Sequence, residues 1–193
     1  MSSGSPPEAF ISNTLFERGF GYVVVTRFRS NDRVESGVFL LDIFCLGVKD
    51  AMFQQLGIAD YRRDLLGRLF KDGERDAVEP CCARKLVEGA FRYATALSFQ
   101  PHPDYKAACR VFGGIAVEAC DREFAFGHKG KPFYIQGPYD SAQKCKQILT
   151  ILKNRCGQGN FYYLIASNDL SDVPEEYLSG ARVIEVPGQD QRR

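Results

Sequence analysis

Gly21-Tyr-Val-Val-Val-Thr-Arg-Phe-Arg29, Ser30-Asn-Asp-Arg33 and Val34-Glu-Ser-Gly-Val-Phe-Leu-Leu-Asp-Ile-Phe-Cys-Leu46 read together as one β-hairpin. The first segment is dense in β-branched and aromatic residues, which suit a pleated, packed surface. The second supplies Asn31 and Asp32, which tolerate the tight backbone angles of a hairpin turn. The third returns as a long apolar strand interrupted once, by Asp42. A strand apolar on both faces must be covered on both faces. The hairpin is therefore expected at the centre of a sheet, with Asp42 as the one carboxylate aimed into it or at its edge.

Outward from the hairpin, Gly47 reads as the end of the second strand. The spacing of Val48, Met52, Phe53 and Leu56 predicts a short helix over 49–56, stopped by Gly57. Asp60 is placed to cap a helix over 61–70 with Tyr61, Leu65, Leu66 and Leu69 on one face. Residues 71–78 are charged and read as an exposed loop. The strongest helix signal covers 80–99. Pro80 stands at its first position, where a missing N–H costs nothing, and Ala83, Leu86, Val87, Ala90, Ala94 and Leu97 recur at helical spacing. Gln100-Pro-His-Pro-Asp104 is a stiff corner, because residues before proline avoid helical angles. A short helix to Phe112 follows, and Gly113-Gly114 is the expected boundary.

Beyond it the pattern predicts short strands at 123–126 and 133–136, a helix from an Asp140 cap to about Cys156, and a strand at 161–165. A helical piece at 175–178 and a last strand at 182–186 complete the expectation. The fold class is α+β: a long hairpin packed by helices, then a smaller strand–strand–helix–strand unit. The organisation expected is a flexible arm (1–17), the hairpin with its helices (18–113), a ββαβ unit (114–187) packed on the first half or continuous with it, and a tail (188–193).

Composition bounds the function. The chain has 193 residues, 45% hydrophobic and 25% charged, the profile of a folded globular protein. No apolar run reaches the ~18 residues of a membrane span, so no membrane partner is expected. The N-terminus lacks the basic start and apolar stretch of an export signal. Seven cysteines without such a signal point to reduced thiols in the cytoplasm. A net charge of +1 gives no global case for nucleic acid.

Four groups of residues carry candidate chemistry. Asp42 is costly to bury unpaired. With Asp50 and the His102/Asp104 corner it is the basis for a divalent-metal hydrolase of nuclease type, catalytic residues Asp42, Asp50, His102 and Asp104. The plainer reading has Asp42 satisfied by backbone amides or an arginine, and His102 as a capping corner. Cys81-Cys82 lie in the first turn of the strongest helix, where the dipole favours a thiolate. They read either as a nucleophile or as inert core residues, and with no Cys-x-x-Cys in the chain a zinc site has little support. Finally, Arg27, Arg29, Arg33, Lys129, Lys131 and Lys144, interleaved with aromatics, suit a single-stranded nucleic acid. Glycine-rich phosphate loops, nucleophile elbows and His-Glu-x-x-His are absent. The expectation is a non-catalytic cytosolic binding or adaptor module for a protein or nucleic acid, without cofactor. The metal-dependent hydrolase is the alternative.

Overall fold

The computed structural model describes residues 5–165, which divide after Gly127 into two compact units. In the first, strands β1 (Glu8–Ser12), β2 (Phe20–Phe28), β3 (Arg33–Asp42), β4 (Gly47–Gly57) and β5 (Arg75–Val78) form an antiparallel sheet. Their order is β4-β3-β2-β1-β5, so β3 and β2 lie inside it. β2 and β3 pair from Phe20 with Asp42 to Phe28 with Val34. Asn31 and Asp32 take the left-handed angles the turn requires, with φ of 61° and 53°.

Alternation along the strands sends side chains to two covered faces. On one, Val24, Val34 and Val38 pack with Tyr61, Leu65, Leu66 and Phe70 of the helical stretch 58–69 and its end. That stretch is α2 (Ile58–Asp60), a π-helical turn (Tyr61–Leu65) and α3 (Leu66–Leu69), close to the predicted helix. On the other face, Phe39 stacks on Phe112 at 5.4 Å and meets Tyr105 edge-on. The long helix α4 (Pro80–Ala96) lies against β1–β4 on that side, and α5 (Tyr105–Ala108) against β3 and β4. Val23, Val25, Phe39 and Leu41 are fully buried. Each such apolar side chain contributes ~1.5–3 kcal/mol by leaving water. Two covered faces are what the hairpin's apolar run demanded.

Several expectations are corrected. Residues 49–56 are the heart of β4, paired to β3 throughout, and not a helix. The chain reverses at 43–46 and leaves the turn through Gly47 (φ +70°). A Cβ at Gly47 would lie 2.5 Å from Ala94 Cβ and 2.8 Å from Ala90 O, because α4 crosses the turn there. Gly47 therefore begins a strand and does not end one. The arm expected to be flexible contains β1, held between β2 and β5, and a single helical turn, α1 (Leu15–Arg18). The loop 71–78 holds β5. Residues 123–126 form no strand, and 114–127 belong to the first unit. Several contacts tie them there: a Cys82–Cys120 disulfide, an Arg84–Ile115 hydrogen bond, and Gly127 N–H donating 2.9 Å to Ile43 O.

In the second unit β6 (Phe133–Ile135) and β7 (Tyr162–Leu164) pair in parallel, joined by α6 (Ala142–Cys156). Ser141, rather than the expected Asp140, is the cap, its hydroxyl accepting from Lys144 N–H at 3.3 Å. Tyr134, Cys145, Leu149, Leu152 and Tyr163 are buried between helix and strands. The elements expected at 175–178 and 182–186 lie outside the described residues.

Candidate functional site

Asp42 closes β3 and is 7% exposed. Its Oδ1 accepts from the amides of Phe44 (3.0 Å) and Cys45 (2.8 Å), folding the β3–β4 turn around the carboxylate. Burial pushes its carboxyl up to about 6, against the pull of those amides, the Leu46 amide and the more distant Lys49. Burial wins because two or three amide dipoles replace only part of the water a carboxylate loses. Asp42 is thus a turn-forming residue whose Oδ1 is held by backbone amides.

Asp50, His102 and Asp104 are brought together. His102 N–H donates to Val48 O at 3.0 Å, docking the proline corner on β4. Its Nδ1 accepts the Asp104 N–H at 3.3 Å and lies 3.9 Å from Asp104 Oδ2. An Nδ1 that accepts leaves the ring proton on Nε2, which sits 3.6 Å from Asp50 Oδ1. Asp50 Oδ1 also accepts the Ala51 amide at 2.7 Å. The two aspartates face opposite nitrogens of one imidazole. A single ion at Nε2 would have Asp50 beside it and Asp104 on the far side of the ring.

Asp50 also stands on the rim of a cleft of about 380 Å³. The cleft lies where 58–69 stops covering the sheet. Tyr22, Val38, Leu40, Met52, Leu65 and Leu69 supply apolar lining, with Asp50, Gln54 and Arg68 as its polar groups. Asp50, Met52 and Gln54 point to the same side of β4 by strand alternation, and β4 is an edge strand of the sheet. The sequence marks none of the apolar lining as a site; its spacing puts Met52, Leu65 and Leu69 on helix faces. Recognising β4 as a strand would have placed Asp50, Met52 and Gln54 on one face.

Cys82, expected as a thiol, is bonded to Cys120, 38 residues on. The Cys82 and Ala83 amides both donate to Glu79 O, so neither is free to hold a Cys81 thiolate. Cys81, Cys82 and Cys120 have sulfurs all within 4.8 Å of one another, and are the one group of metal-capable side chains that close among the described residues. Cys120, in an irregular segment, carried no sequence signal as their partner.

The basic residues are mostly committed. Arg29 pairs with Glu35, and Arg33 reaches Gln55 O at 3.5 Å. Arg27 packs over Gly113. In the second unit Lys129 holds a left-handed turn position, Lys131 donates to Gly159 O at 2.9 Å, and Lys144 pairs with Asp140 at 2.7 Å. The aromatics Tyr134, Phe161 and Tyr163 are buried in that unit, leaving Tyr139 and Tyr162 exposed. No described helix is long and apolar enough to cross a membrane. Comparisons of the chain with protein-family models, curated proteins and solved structures return no match.

Proposed function

We propose that this chain is a non-catalytic binding module that captures an extended segment of a partner protein alongside β4, seating its side chains in the adjoining cleft. The observation that carries this reading is the cleft itself, apolar in its lining and carrying Asp50 and Arg68. An edge strand offers unpaired backbone groups to an incoming strand, and alternate side chains of that strand then reach a neighbouring pocket. The lining selects an apolar side chain, Asp50 a basic one and Arg68 an acidic one. Committed arginines and lysines weigh against the nucleic-acid version of a binding module.

The test is selection of random short peptides displayed against the whole chain, followed by calorimetry with the tightest one. Binding should fall at least ~10-fold in Met52→Lys, a loss of ~1.4 kcal/mol, and stay unchanged in Lys131→Ala. A single-stranded oligonucleotide that binds tightly, with affinity falling steeply as salt rises, would replace this reading with the nucleic-acid one.

A second reading, the metal-dependent hydrolase, is favoured by the approach of His102 Nε2 to Asp50. Asp42 enters it only as a buried carboxylate whose Oδ1 already accepts from the Phe44 and Cys45 amides. Calorimetry with magnesium and manganese decides: binding abolished by Asp50→Asn supports the hydrolase, and no binding removes it.

A further inference from the structure

We infer that the sulfurs of Cys81, Cys82 and Cys120 form a thiophilic divalent-metal site, open when the Cys82–Cys120 disulfide is reduced and closed when it is formed. Two observations meet here. The three sulfurs lie within 4.8 Å of one another, drawn from two separate parts of the chain. Two of them are already joined as a disulfide, so the backbone holds them at bonding distance. A zinc ion with Zn–S bonds near 2.3 Å sets its tetrahedral sulfurs ~3.8 Å apart, within the spread that these side chains already have.

The surroundings suit a thiolate cluster. Cys81 and Cys82 occupy the first turn of the 17-residue helix α4, at the positive end of its dipole. The Lys85 ammonium is held 3.3 Å from the Cys120 carbonyl and 2.7 Å from Glu123. One divalent ion with three thiolates carries net charge −1, which the positive end of the helix dipole offsets in part. The helix start is stiffened by the Cys82 and Ala83 amides on Glu79 O. Cys82 and Cys120 are buried and Cys81 is half-exposed. Three protein sulfurs leave the fourth position of the tetrahedron to water or a small ligand.

The chemistry balances in two steps. A phosphine or dithiol reductant supplies two electrons to the Cys82–Cys120 bond, giving two thiols. A phosphine takes up the oxygen of one water, whose protons go to the sulfurs, and a dithiol becomes a disulfide. The ion then displaces one proton from each of the three thiols, forming three metal–sulfur bonds and releasing three protons. Oxidation of the cluster by a low-molecular-weight disulfide reverses this: the Cys82–Cys120 bond re-forms, two small thiols leave and the ion is lost.

The experiment uses the full chain, reduced with a phosphine, freed of it without oxygen and titrated with cobalt(II). The expected result is one cobalt per chain, with the near-ultraviolet charge-transfer band of thiolate-bound cobalt. Cys81→Ser, Cys82→Ser and Cys120→Ser should each weaken binding at least ~100-fold, beyond the 10–100-fold typical of changes outside the ligand set. Cys156→Ser, a thiol outside the cluster, should bind as the unmodified chain does. The unreduced protein should show no band until the phosphine is added. Cys81→Ser retains the disulfide pair, so it reports on the site even if the other two variants fail to fold. A reduced chain without the band overturns the inference, as does a band that survives Cys81→Ser at undiminished affinity or one already present before reduction.

Discussion

Asp42 and Asp50 stand on the same hairpin, one closing β3 and the other within β4 opposite Leu40, in opposite surroundings. Asp42 interrupts the most apolar run in the chain and is buried, with its Oδ1 filled by two amides. Asp50 follows Lys49 in a mixed segment, is 62% exposed at its side chain, and has His102 beside it and a cleft that it lines. An isolated carboxylate in an apolar segment draws attention because burial is costly. The cost is also why a fold surrounds such a group with fixed donors, which commit it to the turn. The candidate for function is the one the core does not occupy.

The harshest way to break the turn side of this contrast is Gly47→Ala. Its positive φ and the closeness of Ala94 and Ala90 leave no room for a Cβ. The expected loss is ~3–5 kcal/mol, read as a fall in the denaturation midpoint. Stability within ~0.5 kcal/mol of the parent would mean that α4 does not cross the turn as described.

Next is the pH dependence of Asp42. In the fold its carboxyl holds a proton to about pH 6, and in the unfolded chain only to 3.8. Between those values the folded state binds more protons, so raising the pH weakens the fold. The cost is fully present above pH 6 and absent below 3.8. The full cost is ~3 kcal/mol. Asp42→Asn keeps an oxygen for the Phe44 and Cys45 amides and removes the charge. Urea midpoints should show the variant more stable than the parent at pH 7.5, with the gap closing by pH 4. A variant weaker at both would show that the carboxylate charge itself holds the turn.

The smallest effect sharpens the other side. Asp50→Asn should change stability by less than ~0.5 kcal/mol, since the side chain is exposed and its partner His102 lies at 3.6 Å. A loss of more than ~2 kcal/mol in thermal melts would make Asp50 a second structural carboxylate.

The hairpin was readable because two independent signals agreed: β-branched density along both strands and a turn that Asn31 and Asp32 alone make easy. Helix α4 was readable for the same reason, with Pro80 at its start and an apolar stripe behind it. β4 was misread because Val48, Met52, Phe53 and Leu56 fit a helical spacing as well as a strand with one half-covered face. What decides is non-local. β3 needs a partner on its second edge, and the Asp42 turn delivers the chain to it. His102 and Asp104 were legible as a pair through the stiffness of the proline corner, whereas Asp50 was attached to Asp42 through a helix that is in fact β4. The cleft was not, because its lining comes from β2, β3, β4 and the stretch 58–69. Cys120 as the partner of Cys82 was equally hidden, since nothing local marks a contact across 38 residues.

On the proposed function, the β4 edge and its cleft, and not the Asp42 turn, receive the ligand. Amide hydrogen exchange of the full chain, with and without the tightest selected peptide, separates the two. Slowed exchange is expected at outer-edge amides of residues 50–56, with Phe44 and Cys45 unchanged. Protection centred on 42–46, or confined to residues beyond Gly127 with β4 untouched, would contradict it.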